Sequence, residues 1–189
     1  MKGLLKNNFY GMTDSVKVAA SLLLVLGAVL ALLGDASLVG IFPFIPAPLL
    51  AVLSLSCLRR ESTSRWCRYK LTLPVRRSDI IKSQYISHVL CSAAGAAAAA
   101  VFLAVTVAIH GNIYFYYGFR DALTLVMGGL ILSLLMGAAA YPLCHIWGAE
   151  RMEIILAVSL ATALAVVLGL SLLLNVMLGD VIVSDTLYY

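Results

Sequence analysis

The chain has 189 residues, of which 62% are apolar and only 12% charged, with a formal net charge of +4 and a mean hydropathy of +1.01. A soluble domain of this length cannot cover so much apolar surface with polar groups, so the composition excludes a soluble globular protein and predicts an integral membrane protein. The four cysteines lack the paired spacing of zinc or thioredoxin motifs, and we expect buried thiols at Cys57, Cys67, Cys91 and Cys144.

The first segment, residues 1–17, has the pattern of an amphipathic helix. Two sets of residues follow different helical faces, apolar Leu5, Phe9 and Met12 and basic Lys2 and Lys6. We expect this helix to lie in the cytoplasmic membrane interface, with these five residues as its anchor and the lysines near anionic headgroups. Gly11 and Asp14 favour a bend before the first span. The alternative is that the segment extends that span.

Five later stretches have the length and composition of membrane-spanning helices, which need about 20 mainly apolar residues. They are residues 18–33, 38–58, 81–109, 122–147 and 154–178. Backbone groups in hydrocarbon must find hydrogen-bond partners within the chain, which predicts helices and not strands. The predicted fold class is therefore an all-α membrane protein, in which one transmembrane domain of about five helices, residues 18–189, follows the interfacial helix.

Two stretches inside the spans constrain how the helices begin and pack. Residues 42–48 contain three prolines, so we expect the second helix to begin near Pro46 or Pro48, or else an irregular segment that lines a cavity. Residues 93–100 are alanine apart from Gly95. Small residues let helix backbones approach closely, although such a run can also be a helix-favouring sequence of low complexity.

The basic residues lie on one side of the predicted spans. All thirteen Lys and Arg residues except Arg120 precede the first span or lie in the segments that follow the second and the fourth. Because cytoplasmic loops of membrane proteins are enriched in Lys and Arg, this distribution predicts a cytoplasmic N-terminus. Five crossings then place the C-terminal tail, residues 179–189, outside the cell.

The cytoplasmic loop, residues 59–80, is basic but carries a short apolar pattern. Ser62 or Thr63 can cap a short helix, which Pro74 would end. Its apolar face would consist of Trp66, Tyr69 and Leu73. Such a helix either docks a protein or rests its aromatic side chains among the headgroups. Topology already explains the basic residues, so we expect no nucleic acid as a partner.

After Pro74, Ser78 and Asp79 can cap the third span, with the acidic side chain at the positive end of the helix dipole.

No Walker A pattern, zinc-protease motif or nucleophile elbow occurs in the chain, so we expect no catalytic residue and no metal site. The three histidines lie near different membrane boundaries and are expected to be interfacial or packing residues. We expect span hydroxyls to bond to their own helices; those residues are Thr106, Thr124, Ser133, Ser159, Thr162 and Ser171.

In three places the chain resembles the small ABC-2-type permeases of bacterial ABC transporters. The loop carries the most specific similarity, in Glu61, Trp66, Tyr69, Leu73, Pro74, Val75, Arg76, Arg77, Asp79, Lys82 and Tyr85. The opening segment 1–9, and residues 141–143 with 148–151, are also similar. That family normally has six spans with both termini inside, so the five spans counted here are a departure.

The resemblance implies the permease subunit of an exporter in the bacterial inner membrane. Two permeases, identical or homologous, would work with two separate ATPase subunits, which bind ATP and Mg²⁺, so that this chain needs no cofactor. The loop would contain the coupling helix that docks on the ATPase. The implied contacts are Glu61, Trp66, Tyr69, Leu73, Pro74, Arg76 and Arg77.

Two other classes of function are compatible with the residues. A sensor, immunity or assembly protein could hold a cytosolic partner through the same loop without transporting anything. A membrane enzyme is the third class, and Glu150, Glu153 and His145 would be its candidate residues.

Overall fold

The computed structural model describes residues 2–64, 76–111 and 119–186, and every regular element in these ranges is helical. The α-helices are α1 (Lys2–Leu33), α2 (Ala36–Ile41), α3 (Pro46–Thr63), α4 (Arg77–His110), α5 (Phe119–Trp147) and α6 (Met152–Thr186). The helical segments long and apolar enough to cross a membrane are Lys6–Leu33, Leu38–Arg60, Ser78–His110, Arg120–Trp147 and Ala149–Leu173. The prediction of an all-α membrane protein with five spans is therefore confirmed.

Helix α1 runs without interruption through Gly11, where the sequence favoured a bend. Gly11 serves close packing instead, because a Cβ added to it would lie 3.2 Å from the Sγ atom of Cys57 on α3. A helix of 32 residues is about 48 Å long, whereas the hydrocarbon core is about 30 Å thick. Either α1 tilts or one of its ends extends beyond the hydrocarbon. The interfacial position of residues 1–17 stays a prediction.

Helix α3 begins at Pro46, as predicted, because proline fits the first turn of a helix. The residues before it are also helical: α2 leads into a 3₁₀ turn at Phe42–Phe44. The ring of Phe42 lies against that of Phe102 on α4, with 4.4 Å between the ring centroids. Phe44 lies over α5, where a Cβ on Gly128 would be 2.7 Å from its ring. The proline-rich segment is thus packed into the bundle.

The ends of three helices differ from the sequence prediction. Helix α3 continues to Thr63, so Ser62 and Thr63 lie in its last turn, and the short helix that they were predicted to cap lies outside the described residues. Helix α4 begins at Arg77, before the predicted cap at Ser78 and Asp79. The backbone of α6 remains helical to Thr186, well into the predicted tail.

Helices α3 and α4 pack backbone against backbone at Gly95. A Cβ built on Gly95 would lie 2.5 Å from the Cα atom of Ala47 and 2.6 Å from the carbonyl oxygen of Pro46. The alanine-rich segment is therefore a close-packing surface. About two turns further along both helices, His88 meets Ser54 across the same interface, so the two helices run antiparallel in constant register.

Helix α3 lies between two apolar cores. The core toward α1 and α4 includes Met12, Leu23, Leu50, Cys57, Cys91 and Phe102. The core toward α5 and α6 includes Leu55, Leu58, Met136, Tyr141, Cys144 and Ile155. Three of the four cysteines are buried, as predicted, and Cys67 lies outside the described residues. The large apolar side chains that α1 and α6 expose have the chemistry of a lipid-facing surface.

The close approach at Gly95 predicts that Gly95→Ala destabilises the bundle. The added methyl group must push α3 away from α4, which costs about 1–3 kcal/mol for an overpacked site. We expect a lower thermal unfolding midpoint in detergent micelles. Gly169→Ala on α6 is the matched control, since a Cβ there meets nothing within 4 Å, and its midpoint should not fall. Equal midpoints for the two variants would contradict the backbone contact.

Candidate functional site

One end of the bundle brings together the segments to which the sequence assigns a function. The last turn of α3 lies there beside the N-terminal half of α1 and the turn between α5 and α6. We call this end the loop end and define it by residues 6–12, 59–64, 76–79 and 148–153. The segment between α3 and α4, residues 65–75, lies outside the described residues.

Two arginines connect the end of α3 to the outer helices. Nη1 of Arg59 lies 3.2 Å from Oε1 of Glu153 on α6, and both side chains are largely exposed. Nη1 of Arg60 donates a 2.8 Å hydrogen bond to the carbonyl oxygen of Gly11 on α1. An exposed ion pair contributes at most about 1 kcal/mol. The importance of these contacts is therefore geometric: they join the residues where the loop begins to α1 and α6.

Four of the predicted partner contacts lie outside the described residues: Trp66, Tyr69, Leu73 and Pro74. The backbone of Glu61 lies in the last turn of α3, and that of Arg77 begins α4. Arg76 is exposed and extended, with φ −69° and ψ 140°. Its carbonyl oxygen accepts a 2.9 Å hydrogen bond from the N–H of Asp79. The structure thus places three of these residues in the described ends of the loop. Their contact with a partner stays a prediction.

The predicted interface anchors divide into two groups. Lys2 and Leu5 belong to α1, Lys6 is exposed, and Phe9 is partly exposed. Their position in the membrane interface stays a prediction. Met12, by contrast, is only 3% exposed and packs in the core with α3 and α4. This corrects its assignment as an anchor, because this part of the amphipathic face packs on protein instead of lipid.

Beneath the loop end, buried polar side chains join α3, α4 and α5. This polar cluster consists of Ser54, His88, Ser92, Ser133 and Tyr141. His88 is 2% exposed, and both of its ring nitrogens have partners. Nε2 lies 3.1 Å from the carbonyl oxygen of Ser133, and Nδ1 lies 2.9 Å from Oγ of Ser54. Because a carbonyl oxygen can only accept, Nε2 carries a hydrogen and donates it to Ser133. The one hydroxyl hydrogen of Ser54 is shared between Nδ1 and the carbonyl oxygen of Ala51, which lies 2.7 Å from Oγ.

Small residues of the neighbouring helices make the polar cluster possible. Gly137 on α5 leaves the space for the ring of His88, which a Cβ at that position would overlap. Oγ of Ser92 lies 2.6 Å from Oγ of Ser133, and Ser133 donates to the carbonyl oxygen of Ala47 at 3.3 Å. Polar groups in a membrane interior are costly without partners, so these bonds favour one relative arrangement of the three helices.

The sequence predicted the hydrogen bonds of the span hydroxyls only in part. The expectation that they bond to their own helix is confirmed for Thr106, Thr124, Ser159 and Thr162. It is wrong for Ser133, which bonds across helices. The polar cluster itself was missed, although a signal existed. Polar residues recur along one face of α4 at helical spacing, at Ser83, Gln84, Ser87, His88 and Ser92.

These geometries assign different roles to the two regions. Each of the five residues of the polar cluster has a hydrogen-bond partner, so the cluster holds α3, α4 and α5 in register. In the ranges that the structure describes, no three His, Cys, Asp or Glu side chains are placed to hold a metal ion. The loop end offers exposed arginines beside the ends of α3 and α4, and this is the surface suited to a partner protein.

Comparison with known proteins finds a family that matches most of the chain. The model of a family described as ABC-2 family transporter protein matches residues 3–187. This range includes the five candidate spans and the whole loop between α3 and α4. Neither the curated proteins nor the solved structures contain a match to the chain.

The buried position of His88 predicts that His88→Ala is strongly destabilising. The change leaves a cavity and removes one hydrogen-bond partner of Ser54, at a cost of about 2–4 kcal/mol. We expect a clearly lower unfolding midpoint in detergent. His145→Ala is the matched control, because His145 is exposed in the last turn of α5 and should change stability by less than about 0.5 kcal/mol. Similar losses in both variants would contradict the role of the polar cluster.

Proposed function

Because the chain belongs to the ABC-2 family of transporter proteins, we propose that it is the membrane-spanning subunit of an exporter that a separate ATPase drives. The ATPase binds ATP and Mg²⁺ and docks on the loop of residues 59–80. A second copy of this chain, or a homologous permease, completes the membrane part. Export as the direction of transport rests on the resemblance to small ABC-2-type permeases.

One observation carries the proposal: the loop joins the two most buried spans. In the apolar 18-residue stretches of the five spans, the buried share is 50% for the span that contains α3 and 44% for α4, against 17% to 22% for the other three. A partner that displaces the loop therefore acts directly on the two central helices. Because Gly95 and the polar cluster hold α3 against α4, these helices respond as one unit.

The arginines of the loop end supply the connection to the outer helices. Arg60 bonds to the backbone of α1, and Arg59 pairs with Glu153 at the start of α6. Docking of an ATPase thus changes the position of α1 and α6 together with α3. A coupled movement of this kind is what ATP-driven alternation of a transport pathway requires.

The orientation in the membrane follows from charge. The loop end exposes Lys6, Arg59, Arg60, Arg76 and Arg151, whereas the described part of the other end has Asp35, Arg120 and Asp121. Since Lys and Arg are enriched on the cytoplasmic side of membrane proteins, the loop end faces the cytoplasm of the bacterial cell. The N-terminus lies on the same side, and the C-terminal tail after five crossings lies outside.

The proposal predicts that the ATPase is lost from the complex when the apolar face of the loop is removed. Trp66→Ala and Leu73→Asp should each lower recovery of the ATPase in mild detergent by at least tenfold, or roughly 1.4 kcal/mol. Trp147→Ala is the matched control, since Trp147 is exposed at the end of α5 and lies outside the loop. Full recovery with both loop variants would contradict the coupling-helix assignment.

A second variant separates docking from coupling. Arg60→Ala removes the bond to the carbonyl oxygen of Gly11 but leaves the loop sequence from residue 61 onward unchanged. The ATPase should still co-purify, while stimulation of its ATP hydrolysis by the membrane subunit in nanodiscs falls by up to about tenfold, as expected for a hydrogen bond to a charged group. Arg151→Ala, also exposed at the loop end, is the control. Unchanged stimulation in Arg60→Ala would contradict transmission through this contact.

A further inference from the structure

A small cavity lies between α1, α3, α4 and α5, beneath the loop end. Five of the residues that line it are polar: Asn8, Ser54, Gln84, Ser87 and Tyr141. Its volume, about 10 Å³ for the centre of a water molecule, is close to the minimum that one buried water needs. The size therefore excludes a larger ligand.

Gln84 is the group that the cavity leaves unsatisfied. Its side chain is 8% exposed, and its Oε1 atom is buried without a hydrogen-bond partner among the described residues. The backbone carbonyl of the same residue already accepts from the hydroxyl of Tyr141 at 3.2 Å. A buried acceptor without a donor costs about 1–3 kcal/mol. A donor in the cavity would remove this cost.

Two other residues of the lining, Asn8 and Ser87, form a weak contact between α1 and α4. Nδ2 of Asn8 on α1 lies 3.4 Å from Oγ of Ser87 on α4, which is longer than a usual N–H···O hydrogen bond of about 2.9–3.0 Å. The hydroxyl of Ser87 donates to the carbonyl of Ser83 at 2.9 Å. Asn8 and Ser87 therefore keep hydrogen-bonding capacity toward the cavity.

We propose that this cavity binds one water molecule, which bonds to the amide of Gln84 on α4 and to Asn8 on α1 or Ser87 on α4. Among the described residues, the lining contains no charged side chain, and an ion without a counter-charge would be far too costly at this position. A water molecule both donates and accepts, so it fits either orientation of the Gln84 amide.

The bound water gives the interface between α1 and α4 a property that the polar cluster lacks. Water-mediated hydrogen bonds are nearly as favourable in enthalpy as direct ones, and they tolerate changes in separation. The N-terminal half of α1 can therefore shift against α4 without leaving Gln84 unpaired. The site stands independently of the proposed transport function, since it depends only on the packing of this chain.

Radiolytic footprinting of the full chain in micelles tests the site. X-ray ionisation of a bound water releases a hydroxyl radical that oxidises the nearest side chains, and Met12 and Cys57 line the cavity. Met136 and Cys144 are matched controls in the core toward α5 and α6. They are 2% and 5% exposed, against 3% and 8% for Met12 and Cys57. We expect Met12 and Cys57 to oxidise several-fold faster than their controls.

The variant Gln84→Met keeps the length of the side chain and removes the amide. Oxidation of Met12 and Cys57 should then fall to the rates of Met136 and Cys144. Ser159→Ala, a buried change on α6, should leave all rates as in the wild type. Equal rates within each pair in the wild type, which needs no variant to fold, would overturn the proposal, and so would rates that Gln84→Met leaves unchanged. No ATPase is needed, so this result is independent of the test of function.

Discussion

At Gly95 the backbones of α3 and α4 approach so closely that a Cβ atom would lie 2.5 Å from Ala47. This contact sets the antiparallel register of the two central helices. In that register His88 falls opposite Ser54, and Gly137 on α5 leaves room for the imidazole ring. The end of α3 and the start of α4 then lie at the same end of the bundle, where the loop of residues 59–80 joins them. The position of this loop thus depends on a packing contact deep inside the bundle.

Because lipid surrounds the spans, a few polar contacts are enough to hold the helices in one arrangement. Lipid offers no hydrogen bonds, so each polar group within the spans needs a partner from the chain or from a bound water. The outer helices α1 and α6 expose large apolar side chains, which need no hydrogen-bond partner. In the central helices, the side chains of the polar cluster serve as hydrogen-bond partners for one another. At the loop end the chain returns to water, and exposed arginines replace buried serines as the groups that connect the helices.

The sequence predicted the parts of the fold that lipid dictates. Five apolar runs gave five spans, and the prolines placed the start of α3 at Pro46, because both signals act along one helix. The polar cluster depends on the relative rotation of three helices, which no single helix encodes. Met12 was assigned to the membrane interface because hydropathy cannot distinguish a face that packs on protein from one that packs on lipid. The loop residues that carry the family resemblance, Trp66 above all, keep their predicted role untested.

The proposed function depends on the binding of an ATPase to the loop between α3 and α4. A photoreactive phenylalanine in place of Trp66, activated in intact cells, reports directly what that position touches. The same group in place of Leu172, which is 66% exposed on α6, serves as the lipid-facing reference. We expect a cross-link from position 66 to a protein with an ATP-binding Walker A motif, and cross-links to lipid alone from position 172. Cross-links to lipid alone from both positions would contradict the proposed function.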